Sequence, residues 1–364
     1  MTMTTRTENV TPNWFAAIMG TGIVSNAAAT LPVHAPGLRA FAVVVWVCAA
    51  TALAILCCAF AAHWTSHRTN ALGHARDPIM VQFYGAPPMA LLTVAAGAML
   101  VGPDVVGTTV SGVLFVVLWT LGTAAGLTTA VVVPYLMMTA HDHRQVVALP
   151  AWLMPVVPPM VSASTGALLL PHIAEGQWRL TLLALCYAMF GLSLIVGMLT
   201  MASIYSRLVH GGVPPVQAAP TVWIALGLVG QSITAANLLP SAAPAGISGG
   251  LRMFGIVYGL VMGGFGVFVF ALAAAITVHA FRRGLTFSLT WWSFTFPVGT
   301  CVTGATALGT ALGSTLIHGL AVVLYVALVG AWGTVAVRTV RRSGPRPHAL
   351  PTTAAINVAS SSVA

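Results

Sequence analysis

The sequence predicts an all-α integral membrane protein, with ten transmembrane helices forming five helical hairpins in a quasi-five-fold arrangement around a central pore. Three observations carry this expectation. Of the 364 residues, 58% are hydrophobic and only 5% are charged, whereas an average soluble domain is roughly a quarter charged; no soluble fold of this size covers its surface with so few ions. The apolar residues fall into ten runs, each close to the roughly 20 residues that a helix needs to cross a hydrocarbon core. Those runs come in pairs, and the pairs recur at a nearly constant interval.

The runs lie near 13–33, 40–63, 83–102, 109–139, 150–171, 179–207, 219–240, 251–281, 288–312 and 316–338. The fourth and eighth exceed the thickness of a bilayer and are expected to tilt or protrude. A cytoplasmic segment, 1–12, precedes the transmembrane domain, 13–338. The tail, 339–364, is rich in Ser, Pro, Thr and Ala, lacks periodicity and is expected to be disordered.

Orientation follows from arginine, the only basic side chain besides histidine. Alternate loops place Arg6, Arg68, Arg76, Arg144, Arg207, Arg282, Arg283, Arg338, Arg341, Arg342 and Arg346 on one side, and Arg39, Arg179 and Arg252 on the other. The positive-inside rule then puts both termini in the cytoplasm of a cell expected to carry the chain in its cytoplasmic, or inner, membrane. A formal charge of +9 does not point to nucleic acid, because the arginines stand singly or in pairs between apolar runs.

The odd-numbered runs begin near Asn13, Phe83, Pro150, Ala219 and Ser288, about 69 residues apart, and each carries a helix-breaking or polar cluster. The clusters are Gly20-Thr21-Gly22, Gly85 with Pro87-Pro88, Pro155 with Pro158-Pro159, Gly227 with Gly230-Gln231, and Pro297 with Gly299. Each repeat holds two helices, so every repeat enters from the same side and the symmetry axis runs along the membrane normal. The repeat also identifies the first run as a span, although Arg6 and Ala27-Ala28-Ala29 imitate a cleaved leader.

Polar groups distinguish the two members of each hairpin. The odd spans hold Thr21, Ser25, Asn26, Gln82, Thr93, Ser162, Ser164, Thr165, Gln231, Ser232, Thr234, Asn237, Thr295, Thr300, Thr303 and Thr306, and the even spans are much poorer in them. Polar side chains and irregular backbone persist at membrane depth only where protein or water satisfies them. Odd helices are therefore expected to line the path and even helices to form a lipid-facing ring.

No Asp or Glu lies in the central part of an odd span, which argues against a cation or proton route built on membrane carboxylates. A path of hydroxyls, amides and helix ends favours anions. We expect helix ends at Gly20–Gly22, Pro88, Pro158 and Pro297 to present positive dipoles. Thr21, Ser25, Ser162, Gln231, Ser232 and Thr300 are expected along the route. A proton-coupled symporter, with a histidine relay, remains the alternative.

An enzyme reading finds no HExxH, GxSxG or comparable cluster. His141 and His143, like His63, His67 and His74, read as polar loop residues rather than metal ligands, and neither metal nor cofactor is expected. Cys48, Cys57, Cys58, Cys186 and Cys301 read as small buried hydrophobes. Met19-Gly20-Thr21-Gly22 follows no strand and is not a nucleotide-binding turn. Gly255, Gly259 and Gly263 form a small-residue face whose simplest role is close packing within the chain. Phe294 and Phe296, beside Pro297, read by themselves as packing aromatics.

Four segments resemble a known family. They are Asn13-Trp14-Phe15 through Gly20-Thr21-Gly22-Ile23-Val24-Ser25, Pro150 through Ser164, Val229-Gly230-Gln231-Ser232, and Trp291-Trp292-Ser293-Phe294-Thr295-Phe296-Pro297-Val298-Gly299-Thr300. The chain is similar, over 13–338, to the tellurite-resistance/dicarboxylate transporter family. That family includes fungal malate carriers, fungal sulfite efflux pumps, bacterial tellurite-resistance proteins and plant slow anion channels. The resemblance implies a homotrimer with one pore per subunit, enclosed by five inner and five outer helices and occluded by a phenylalanine of the ninth span. Phe296 matches that phenylalanine by its place before the proline, with Phe294 as the fallback. It also implies small anions as cargo, sulfite or a C4-dicarboxylate such as malate, between which no residue here discriminates. The short termini make the kinase control of the plant channels doubtful.

Overall fold

The computed structural model describes residues 10–33, 35–140 and 148–343. His141 and His143 therefore lie outside the described residues, as do Met1–Asn9 and the tail from 344 onward. In chain order the helices are α1 (Phe15–Thr30), α2 (Leu38–Ser66), α3 (Arg68–Arg76), α4 (Ala86–Leu100), α5 (Pro103–Thr139), α6 (Pro158–Leu169), α7 (Gln177–Gly211), α8 (Ile224–Leu238), α9 (Ala245–Arg282), α10 (Phe296–Leu312) and α11 (Thr315–Ser343). With α3 set aside, ten spans remain, each overlapping its expected run. The short α3 was not expected from the sequence, and α11 continues to Ser343, past the expected start of the tail.

Length separates the spans into two classes. The even spans α2, α5, α7, α9 and α11 run 29 to 38 residues. The odd spans α1, α4, α6, α8 and α10 run 12 to 17, each preceded by a 3-10 turn. Proline explains much of this: Pro87-Pro88, Pro158-Pro159 and Pro297 occupy the first positions of α4, α6 and α10, where a missing N–H costs nothing and a fixed φ favours starting a helix. The fourth span breaks at Gly107, whose φ of 79° departs from helical geometry, so the continuous helix begins at about the expected place.

The odd helices form the interior. The apolar windows within segments 80–100 and 216–242 are 72% and 78% buried, whereas those of α2, α5, α7, α9 and α11 are 17–33% buried. Helix contacts close a ring, α1 to α4 to α6 to α8 to α10 and back to α1. Each outer helix packs on its own inner partner and on the next inner helix round, with α11 completing the circuit against α1. The five-hairpin arrangement read from spacing is thus the observed one.

Hydrogen bonds repeat with the hairpins. Asn26 donates to the Thr93 carbonyl (3.0 Å), Ser164 donates to Gln231 Oε1 (2.6 Å), and Thr234 and Thr303 share a hydroxyl bond (3.0 Å). The partners are 67, 67 and 69 residues apart, which is the repeat interval itself. Outer helices reach inward similarly: the indole N–H of Trp46 donates to Val94 O, that of Trp119 to Ser162 O, and that of Trp332 to Thr21 Oγ1. In hydrocarbon such bonds have no competition from water, and they pin α2, α5 and α11 to the next hairpin.

Small residues permit the close ring. Gly255 and Gly259 lie against Ala236, Asn237 and Leu308, so the small-residue face packs within the chain, while a side chain at Gly263 would meet open space. Gly255→Leu is therefore expected to reduce the yield of monodisperse protein several-fold and Gly263→Leu to leave it near wild type, as measured by size-exclusion chromatography. Cys48 and Cys58 depart from expectation: they are exposed on the outward face of α2, where a small apolar side chain meets lipid at no cost, and only Cys186 is fully buried.

Candidate functional site

The first turns of all five inner helices meet around one small cavity. Its lining includes Ala16 and Met19 of α1, Met89 of α4, Val157 just before α6, Ile224 and Gly227 of α8, and Phe296 and Pro297 of α10. Phe83, Met154, Leu289, Thr290, Trp292 and Ser293, from the turns that precede three of those helices, complete it. Its volume is about 20 Å³, room for about one water. The cavity thus lies where the five repeats converge.

Phe296 is among the largest fully buried side chains of the chain. It opens α10 immediately before Pro297, so its backbone position is fixed by the proline and by Thr295, whose hydroxyl donates to Trp292 O (2.7 Å). Gly20 of α1 approaches so closely that a Cβ there would overlap Thr295 and Trp292. Phe294 is turned elsewhere. Its ring contacts Trp223 (5.7 Å between centroids) and Trp291 (5.8 Å), edge to face, and it lines a crevice between α9 and α11 on the outside of the bundle. The fallback gate residue is therefore an outward packing aromatic.

The electrostatics of the site come from backbone. Each inner helix begins beside the cavity, where a helix N-terminus carries about half a positive charge; the N–H groups at these starts bond to the turns that lead into them, as Ala86 does to Phe83 O and Ile224 to Thr221 O. Five such ends converge at a point where the inner helices carry no acidic side chain. The lining side chains are mostly apolar, with Thr290, Ser293 and the Trp292 indole as exceptions.

Several expected path residues are placed differently. No helix break occurs at Gly20–Gly22; α1 is continuous there, and the interruption comes earlier, in the turn Pro12–Trp14. Glycine is present because α10 and α4 come close: Gly22 faces Thr93 and Gly20 faces Thr295. The Gly227–Gln231 cluster is likewise inside α8, with its 3-10 turn at Val216–Trp223. Pro88 and Pro158 do begin helices, but both face Gly126 of the outer α5.

Nor do the expected hydroxyls surround the cavity. Thr21 receives Trp332, Ser25 donates to Ala42 O of α2 (2.7 Å), and Ser162 accepts from Thr123 of α5 (3.0 Å). Gln231 is held by Ser164, Ser232 donates to Val229 O, and Thr300 donates to Pro297 O (2.6 Å). These groups bond to a neighbouring helix or to their own rather than facing the constriction, because buried polar atoms in a tightly packed ring find protein partners first. Of the expected set, Phe296 and Pro297 adjoin the cavity.

Met19, Met89 and Met154, which carry no polar or helix-breaking signal in the sequence, reach the cavity from three successive repeats. The outer helices carry a fivefold aromatic, Trp46, Trp119, Tyr187, Tyr258 and Tyr325, whose intervals follow the repeat. Aligning the even spans as the odd ones were aligned exposes that signal.

Comparison with known proteins agrees with this architecture. The voltage-dependent anion channel family matches residues 9–340. The chain belongs to that family. A transporter of Methanocaldococcus jannaschii described as uncharacterised is 25% identical over 337 residues, 92% of this chain and 94% of its own length. Sulfite efflux pumps of Trichophyton rubrum (26% over 352 residues) and Arthroderma otae (27% over 353 residues) each match 92% of this chain and 91% of their own. The resemblance found in the four segments is thereby borne out. The chain is a multi-pass membrane protein of an anion transporter and channel family, not an enzyme, with small anions as its substrates.

Proposed function

We propose that this protein passes sulfite across the cytoplasmic membrane, through the centre of the inner ring, with the Phe296 ring as the closure. Support for the closure comes from one observation: Phe296 is fully buried at the cavity on which all five inner helix ends converge. A single aromatic ring in an apolar constriction excludes water and hence ions, and its displacement admits both. The convergent helix ends give the mouth a positive potential, so an anion entering it loses less solvation energy than a cation.

Sulfite is favoured over a C4-dicarboxylate by the names that several relatives bear, among them the pumps of Trichophyton rubrum and Arthroderma otae. On this reading the arginine-rich ends of the helices face the cytoplasm, together with both termini, and the protein assembles as a homotrimer in which each subunit holds its own path. Two ion pairs at the opposite end, Arg39–Asp104 (2.7 Å) and Arg179–Glu175 (3.7 Å), offset two of the three arginines there and sharpen the charge asymmetry.

The experiment is flux from proteoliposomes loaded in turn with sulfite, malate, succinate, chloride or nitrate, with and without a pH gradient. Sulfite flux exceeding malate flux and independent of the gradient is the expected result. Malate flux that collapses with an uncoupler would replace this reading with the proton-coupled symporter.

A further inference from the structure

A second cavity lies outside the ring. Between the outer helices α7 and α9 runs a crevice of about 440 Å³, walled by residues such as Met201, Leu208, Phe268 and Ile276 and floored by Leu153 and Ala225. Its lining is apolar apart from the Tyr205 hydroxyl. Toward the arginine-rich ends of the two helices a smaller recess of about 210 Å³ begins, sharing Ile276 as a wall and bearing His279 and Arg283. Arg207, on the last turns of α7, donates to the carbonyl oxygen of Gly212 (2.8 Å), the residue before Val213 of the recess wall.

No acid among the described residues lines this recess. Among the described residues, the acids are Asp77, Asp104 and Glu175. Asp104 and Glu175 pair with Arg39 and Arg179 at the far ends of their helices, and Asp77 accepts the N–H groups of Ile79 and Met80 ahead of α4. None is positioned to neutralise Arg283 or His279.

We propose that the crevice is a binding site for an anionic phospholipid, with acyl chain in the apolar slot and headgroup phosphate at Arg283 and His279. A slot of hydrocarbon character ending in the Arg283 cation and the His279 ring at the membrane surface matches an amphipath with an anionic head. A free small anion has no use for the slot. A second copy of this chain is a poorer occupant, since it brings another arginine-rich face to the same level of the membrane.

The site has a consequence for the ring. Leu153 and Ala225 floor the crevice, while their chain neighbours Met154 and Ile224 line the central cavity. A bound acyl chain therefore packs directly behind the wall of the constriction.

The test is native mass spectrometry of the full-length protein released from detergent and titrated with phosphatidylglycerol or phosphatidylcholine of identical chains. Wild type is expected to retain phosphatidylglycerol at least about tenfold more strongly. The double substitution Arg283→Gln with His279→Gln should remove that preference, and Ala202→Trp, which places a ring in the slot from an exposed position, should weaken retention of both lipids. Equal retention by wild type, or a preference untouched by the head-site and slot variants alike, overturns the proposal. So does a disulfide between two copies formed efficiently through Ala202→Cys, which would assign the crevice to a protein interface.

Discussion

Phe296→Ala is expected to raise anion flux several-fold or more, and Phe294→Ala to leave it within about twofold of wild type. Removing the Phe296 ring widens a cavity of about 20 Å³ by most of a benzene ring, and a buried apolar constriction of that width becomes wettable. The adjoining side chains do not refill the space readily, because Pro297 and the contact of Gly20 with Thr295 and Trp292 hold the start of α10 in place. Phe294 packs outward against Trp223 and Trp291, so its loss costs packing and leaves the centre closed. Stopped-flow sulfite flux from proteoliposomes, normalised to incorporated protein, measures both. Unchanged flux in Phe296→Ala, with wild-type incorporation, removes the closure assignment.

Gly230→Ala is expected to abolish the well-folded protein or nearly so. Gly230 sits where α8 crosses α10, the most intimate contact of the ring, and an added Cβ would overlap the Thr300 carbonyl carbon and lie 2.6 Å from the Cys301 nitrogen. Backbone cannot yield as a side-chain tip does, so the two helices must separate. Overpacking commonly costs about 1–3 kcal/mol and more where backbone is the obstacle. The same separation would break the bonds of Thr300 to Leu226 and of Thr234 to Thr303. Gly227, one turn earlier on the same helix, has only the Pro297 ring within 4.0 Å, and Gly227→Ala should fold normally. Thermal melting followed by fluorescence-detected chromatography compares the two; equal melting temperatures would show that α8 and α10 are not held at this distance.

Much of this architecture was legible because a membrane restricts the options. Once ten apolar runs and a repeat of about 69 residues were recognised, the two-helix period fixed an axis along the membrane normal, and polar content separated inner from outer helices. Asn26, Ser164 and Thr234 bond to partners one repeat away, so the interval that revealed the repeat is also the interval of its contacts.

The candidate site was less legible, for a definable reason. Polarity marked Ser25, Ser162, Gln231 and Thr300 as inward residues, and they are inward, but a polar side chain inside a helical ring can face a neighbouring helix as well as the axis. Only the rotation of each helix decides, and near-uniform burial of α1, α4 and α8 leaves hardly any amphipathic signal from which to read it. Glycine misled in a similar way. Gly20 and Gly22 looked like a break, yet within hydrocarbon a glycine more often marks close approach than an interruption. Proline was the dependable indicator, because its missing N–H places a helix start whatever surrounds it.

The central claim is that anions move through the middle of the five-helix ring, behind Phe296. Its most direct test is the reversal potential of Phe296→Ala currents in a planar bilayer under a tenfold gradient of potassium chloride. The account predicts a reversal potential close to that of chloride. A value close to that of potassium, or a conductance blocked by no substitution around the cavity, would contradict it.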